Sequence, residues 1–495
     1  MLIHDLLDKT AMLFPDKDAI VSDDGSISYR ELRLQSINIA KQFRDQGLSK
    51  GSKILIVSNN CIPVIVLAIA ASRLGITFII LNDDIKSRNL QYIIQDSNPS
   101  IIFTNERMFK NLDSLYNNVL CMDEYFSLCK IEGSADVYFE APVNEKDLAC
   151  IVYTSGSTSN PKGVMITQHN VIFSTKAIQQ FLRLKNQDII GNFLPLSFDY
   201  GMYQVFLAFY AGATLALGKR KDVGPLLLKK IERWKVTCLP LVPGIASALI
   251  KLKNRASKST VSLRVITNTG EKLSKEVVKQ LKELFESCNI FLMYGLTECK
   301  RVSILNPEYL EVKPKSVGKP LAGTKCFIVD KNEEILPNNS VGQLLVIGDN
   351  VTLGYWNLPE LTKEKFKPWK NYENVLFTGD LCSIDEEGFL YFHGRADDVF
   401  KNKGFRISTL EIEAVVEEIQ GIDRAIVVKP SEELNCFALY VASKLNLEII
   451  WSKITNLLED YKLPDRIIPV KEIPLTPNGK IDKYKLRELL LQTES

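Results

Sequence analysis

Residues 153–164 read YTSGSTSNPKGV, a stretch that sets hydroxyl side chains, two glycines and a single lysine close together. Three readings are open to it. Gly, Ser, Thr and Asn are common in turns, so it can be an ordinary flexible connection. A Walker-type phosphate loop needs Ser or Thr after the lysine, and here Gly163 follows Lys162, so the order is wrong. A different phosphate loop fits better: hydroxyls and glycine-exposed N–H groups donate to phosphate oxygens, and Lys162 supplies the charge. The run ACIVY at 149–153 reads as a strand that would deliver this loop to a sheet edge.

Outward from the loop, short β-rich runs alternate with longer helical patterns. KILIVS (53–58) precedes a helical stretch at 62–73, and ITFIIL (76–81) follows. SIIFTN (100–105) and LRVITNTG (263–270) read as strands ending at polar turns, and LSKEVVKQLKELFES (273–287) as a helix. Such alternation implies parallel α/β sheets, whose ligands sit beyond the carboxyl ends of the strands. After about residue 310 the runs CFIVD, GQLLVIG and GFLYFHGR, divided by Gly, Asn and Asp turns, indicate a β-rich subdomain. From residue 397 a last segment carries helical STLEIEAVVEEIQ (408–420), strands AIVVKP and FALYVASK, and helical WSKITNLLEDY (451–461). The expected architecture is α/β: a large N-terminal domain of parallel sheets plus the β-rich subdomain over 1–395, and a small mobile α+β domain over 396–495.

Composition bounds the function. The 495 residues suggest about three domain-sized units. Sixty-one Lys and Arg face 59 Asp and Glu, and a net charge of +2 gives no global attraction for nucleic acid or an anionic membrane. The N-terminus lacks the basic region and apolar core of a secretory signal. The apolar stretch 61–81 is divided by Arg73 and Gly75 and reads as a buried helix and a strand. Ten scattered cysteines without a CxxC pair, and only three histidines, argue against a zinc or iron–sulfur site and for reduced thiols in the cytoplasm.

The loop resembles the phosphate-binding loop of the adenylate-forming enzymes: acyl- and aryl-CoA ligases, peptide-synthetase adenylation domains and luciferases. Further motifs follow in that family's order: ISYREL (27–32), YGLTE (294–298), FTGDL (377–381), GRADD (394–398) and PLTPNGKIDK (474–483). They cover nearly the whole chain. GITFIILN (75–82) departs from the pattern, since relatives carry a proline near that strand end.

The resemblance implies a two-step reaction. A carboxylate attacks the α-phosphorus of ATP and releases pyrophosphate; a thiol then attacks the acyl-adenylate and releases AMP. The first step needs no strong base, because the carboxylate is already ionised, but it needs two anions aligned and growing charge neutralised. Carried over residue by residue, Thr154, Ser155, Gly156, Ser157, Thr158 and Lys162 would hold the β- and γ-phosphates. Tyr294 would lie on the adenine face, with Gly270 and Glu271 along its edge and Met293, Gly295 and Phe392 nearby. Thr297 would reach the α-phosphate and Glu298 would ligate Mg²⁺. Asp380 would accept from the ribose hydroxyls and Arg395 would contact the ribose or phosphates. Lys480 would be catalytic, drawing carboxylate and α-phosphate together. Asp397 matches the hinge about which the family's last domain rotates, and Gly404 of KGFR would let a pantetheine arm pass the backbone.

PLSFDYG (195–201) narrows the substrate. The family's amino-acid-activating members carry FD here, the aspartate pairing with the substrate ammonium. Asp199 therefore either binds an amino acid or caps the following helix. Tyr200, Tyr203, Thr267, Thr269, Met293, Arg301 and Val302 would form the pocket wall. The tyrosines suit a compact or cyclic side chain, whereas Arg301 either points away or suits an acidic or polar group. FDYG resembles stand-alone enzymes that load proline onto a carrier protein. The expected reaction is thus activation of an amino acid, L-proline first, and transfer to the phosphopantetheine of a separate carrier protein, since the chain ends fifteen residues after Lys480. The alternative is an acyl- or aryl-CoA ligase in which Asp199 is structural.

Overall fold

The computed structural model describes residues 1–112, 115–128, 143–154, 160–255, 263–270, 273–395, 398–402, 405–430, 434, 436–476 and 479–492. Its backbone packs as two units: residues 1–314, 318–325 and 346–376 in the first, and 315–317, 326–345 and 377–495 in the second. Residues 377–395 thus pack with the C-terminal part of the chain.

In the first unit, six strands lie in the order Val119–Cys121, Ile101–Thr104, Lys53–Val57, Thr77–Leu81, Leu148–Thr154, Lys162–Thr167. The first five are parallel and the last is antiparallel. Strands buried on both faces read as unbroken apolar runs, which is why ILIV and TFIIL show no alternation. Leu55, Val57, Ile79, Ile102 and Ile151 meet Leu90 and Ile93 of the helix Ser87–Ser97 in one apolar cluster. The stretch after Cys61 is the buried helix Ile62–Leu74, ended by left-handed Gly75. No helix among the described residues is long and apolar enough to cross a membrane.

The second sheet of this unit runs Lys319–Pro320, Ser303–Leu305, Asn289–Tyr294, Val265–Asn268, Cys238–Leu241, Ile189–Asn192, Thr214–Leu217, Asp18–Ser22, Gly25–Ser28. Its six central strands are parallel. The chain leaves Ile189–Asn192 for Thr214–Leu217 on one side and returns as Cys238–Leu241 on the other. That reversal opens a crevice at the carboxyl ends, where α/β proteins place ligands. ISYREL starts a helix as expected: Ser28 accepts from Glu31 N at 3.2 Å, and Glu31 Oε2 accepts from Ser28 N at 2.8 Å, a reciprocal cap on Tyr29–Asp45.

In the second unit, Ile422–Val428, Ala438–Ser443 and Arg466–Val470 form a three-stranded sheet. Alternate residues face opposite ways. Val427, Leu439 and Val441 meet Ile412, Val416, Ile450 and Ile454, while Ile426, Val428 and Tyr440 meet Leu486 and Leu490 of the last helix. The helix expected at 451–461 is instead Leu447–Leu457. Asn446 caps it, accepting from Ile449 N at 2.9 Å, and Leu458 turns extended after Ile450 and Ile454 have been buried. The capping signal, Asn446, lay five residues upstream of Trp451, where the expected helical stretch begins.

Glu413, on the helix Thr409–Glu417, is buried and accepts from Val427 N at 2.9 Å. Burial pushes its carboxyl up to about 7 from 4.5, only partly offset by Lys483 Nζ at 4.0 Å. Between those values the folded chain binds more protons than the unfolded one, so stability falls as pH rises through the window. The full effect is about 3 kcal/mol. Denaturant unfolding of Glu413→Gln should lose that part of the slope; a pH dependence identical to the parent chain's would contradict it.

Candidate functional site

The hydroxyl-rich loop joins two antiparallel strands, with Tyr153 opposite Gly163 and Thr154 opposite Lys162. It is a hairpin loop, not the strand-to-helix turn of a Walker motif. Half-buried Thr154 bonds the carbonyl of Lys162 at 3.5 Å. Ser155, Gly156, Ser157 and Thr158 lie outside the described residues, as do Glu271, Asp397 and Gly404. The strand after the loop pairs with residues 353–356: Met165 N donates to Gly354 O at 2.9 Å and Trp356 N to Gly163 O at 2.7 Å. This pairing brings up Tyr355, which the sequence reading missed. Its hydroxyl donates to Glu298 Oε1 at 2.7 Å, and the Lys162 ammonium stands 6.0 Å from its ring centre. One tyrosine therefore connects the loop lysine with the carboxylate expected to hold a metal. GYW at 354–356 was the available signal, an aromatic pair behind a glycine outside any regular element.

YGLTE continues from the carboxyl end of Asn289–Tyr294. Met293 and Tyr294 are buried, Thr297 is half-buried in the turn, and Gly270 is exposed with φ of 89° just beyond the neighbouring strand. Gly295 has a packing reason of its own. A Cβ there would sit 2.1 Å from the Lys300 carbonyl oxygen, so the turn 295–301 closes only over a bare Cα.

Asp199 stands at the crevice of the same sheet. Residues 193–198 leave strand Ile189–Asn192 without regular structure, yet two buried asparagines satisfy their backbone. Asn60 accepts from Leu196 N at 2.9 Å and donates to Leu194 O at 2.9 Å. Asn192 accepts from Leu194 N at 3.2 Å and donates to Gly201 O at 3.0 Å. A Cβ on Gly201 would meet Pro195 O at 2.2 Å, which explains the glycine of FDYG. The helix begins at Asp199 itself, with Phe198 at the N-cap and no side-chain cap bond, so Asp199 does not serve as the N-cap.

The Asp199 carboxylate is instead paired inside the protein. Lys300 Nζ lies 3.1 Å from Asp199 Oδ2, with the side chains 3% and 9% exposed. The same ammonium stands 4.2 Å from the centre of the Tyr203 ring and 5.7 Å from that of Tyr200. Lys300 adopts a left-handed backbone, φ 49°, and Asn350 clamps the turn by donating to Cys299 O and Arg301 O, each at 3.0 Å. Arg301, 1% exposed, donates to Thr269 and lies 5.5 Å from the Tyr200 ring centre. Its Nε has no hydrogen-bond partner, and among the described residues no carboxylate bonds to it. Burial lowers its affinity for the proton and raises that of the Tyr200 and Tyr203 hydroxyls. Tyr200 Oη and Thr267 Oγ1 share a 2.6 Å hydrogen bond. Tyr200, Tyr203, Thr267, Met293, Lys300 and Arg301 are among the residues around a cavity of about 10 Å³, room for about one water. Val302 is fully buried but does not line it; its N–H goes to Tyr294 O at 2.9 Å. Lys300 went unread in the sequence, although a Lys-Arg pair beside an apolar strand was a signal for it.

The second unit carries the remaining candidates. Asp380 and Arg395 are opposite each other in the hairpin of Tyr372–Ile384 and Leu390–Arg395, with Arg395 Nε 3.5 Å from Asp380 Oδ1. Asp380 is buried and Phe392 half-buried. Lys480 is half-buried at the end of a tight turn that Thr476 closes, donating to Lys480 O at 2.6 Å and accepting from Lys480 N at 3.2 Å.

A family model described as "AMP-binding enzyme" matches residues 7–356. Over 495 residues the chain is 29% identical to gramicidin S synthase 2 of Brevibacillus brevis, covering 98% of this chain but only 11% of that protein. The chain thus spans about a tenth of that relative's length. It is also 29% identical to zwittermicin A synthase ZmaJ of Bacillus cereus, over 98% of this chain and 94% of that one. Among solved structures, VinN is 31% identical with a TM-score of 0.75, covering 80% of this chain and 99% of VinN. A complex of VinN with L-aspartate superposes with a TM-score of 0.73.

Proposed function

The chain belongs to the AMP-binding enzyme family, and from that premise we propose that it is an AMP-forming ligase for an amino acid with an acidic side chain. The thiol acceptor in this proposal is the pantetheine of a carrier protein. One observation carries the substrate reading: a buried carboxylate, Asp199, is paired with Lys300, which lines the cavity beside a second buried cation, Arg301. Asp199 suits a substrate ammonium. The surplus positive charge suits an anion on the side chain, because a buried guanidinium without a carboxylate is costly. The reading is supported by VinN, which shares this fold and whose structure was solved with L-aspartate. The charge of the pocket disfavours the proline expectation, since a neutral ring supplies no anion to Arg301, to which no carboxylate among the described residues bonds.

Glu298 fits the family's magnesium. One of its oxygens is held by Tyr355, and no group of three or more His, Cys, Asp or Glu among the described residues could hold a metal alone. A hard cation there would draw its other ligands from phosphate oxygens and water. When bound, the ion neutralises polyphosphate charge. Tyr355 orients the Glu298 carboxylate, and Lys162 would add a cation to the same anionic tail.

ATP–pyrophosphate exchange tests the reading. L-aspartate and related amino dicarboxylates should drive exchange, with proline, fatty acids and aryl acids near background. Exchange driven only by fatty or aryl acids would establish the acyl-CoA ligase alternative; exchange driven best by proline would remove the acidic substrate.

A further inference from the structure

We propose that Lys300 is a built-in occupant of the amino subsite, which yields only to a substrate carrying its own second anion. This rests on the acidic-substrate reading and adds how neutral amino acids are refused. The Lys300 ammonium sits at 3.1 Å from Oδ2 of Asp199, the carboxylate that a substrate ammonium would pair with in this reading. With Lys300 in place the cavity holds about one water, so an amino acid must displace a wall. Tyr200 and Tyr203 belong to a buried helix, whereas Lys300 ends a flexible four-carbon stem in an irregular turn. Lys300 is the wall that moves.

Charge then decides which guests succeed. When the substrate ammonium takes Asp199, Lys300 gives up this ion pair in a site where its side chain is 3% exposed. Arg301 beside it has no carboxylate among the described residues. Among the described residues, a neutral amino acid sets three cations against two carboxylates, its own reacting one included. A side-chain carboxylate restores equality and can bridge Lys300 and Arg301. Leaving a buried charge unpaired is costly enough to disfavour the neutral guest by at least about a hundredfold.

The experiment uses the full chain with Lys300→Met, which keeps the stem and removes the charge, and Lys300→Gln as a second variant. Exchange is measured with L-aspartate and with L-2-aminobutyrate, which has aspartate's carbon skeleton without the side-chain carboxylate. Circular dichroism and ATP binding check folding. The expected result is an inverted preference: kcat/KM for aspartate falls about a hundredfold and that for 2-aminobutyrate rises at least about tenfold. If aspartate use falls in a folded variant while 2-aminobutyrate stays silent, the occupant is refuted and the acidic substrate stands. If the parent chain already prefers 2-aminobutyrate, both fall. Failure of both variants to fold would also overturn the proposal, because a side chain that must leave on binding cannot be what holds the fold together.

Discussion

Lys480→Ala is expected to slow ATP–pyrophosphate exchange by about 10²–10³-fold while leaving acyl transfer from a supplied acyl-adenylate to a thiol largely intact. The physical reason lies in the charges of the two steps. In the first, a carboxylate must approach an already anionic phosphorus centre, and a cation between them offsets repulsion and stabilises the transition state. In the second, a thiol attacks an activated carbonyl and that demand is gone. The turn fits such a role: Thr476 closes it by bonding both the N–H and the carbonyl of Lys480, so the lysine leaves a defined backbone. Separate rate measurements for the two half-reactions decide it. Equal loss in both would assign Lys480 a structural part, or one common to both steps.

Asp199→Asn should lower kcat/KM for the amino acid by at least about a hundredfold and leave the KM for ATP unchanged. The same substitution should destabilise the chain by about 3–5 kcal/mol, because it removes the charge that faces the buried Lys300 ammonium at 3.1 Å. These two effects separate in a double-mutant cycle. Adding Lys300→Met to Asp199→Asn should recover most of the stability, since both members of the buried pair are then neutral, but none of the amino-acid selectivity. An unchanged amino-acid KM in the single variant would remove the basis for reading Asp199 as a substrate ligand.

The parallel sheets were readable because fully buried strands announce themselves as unbroken apolar runs such as ILIV and TFIIL. Helix starts were readable where a local cap existed, as at Ser28 and Glu31. The helix Leu447–Leu457 was misplaced because its cap, Asn446, precedes a stretch whose outward face keeps Leu447, Ile449 and Trp451 exposed, so apolar residues did not mark the core. Gly201 and Gly295 were noticed as motif letters, but the clashes that require them come from Pro195 and Lys300 carbonyls placed by the fold.

From sequence alone came the alternation of elements, the order of the motifs and the candidate residues Lys162, Asp199, Glu298, Asp380 and Lys480. The alternation follows from local patterning, which a chain displays before it folds, and the candidate residues came from the resemblance of their motifs to those of the adenylate-forming enzymes. Tertiary structure decided what each charge faces. Residues 199 and 300 are an ion pair only because the crevice of one sheet brings a helix start against a left-handed turn. Tyr355 reaches Glu298 only because residues 353–356 pair with the strand behind the loop. Energies of buried charges depend on distance and solvent exclusion, and neither is written in the order of residues.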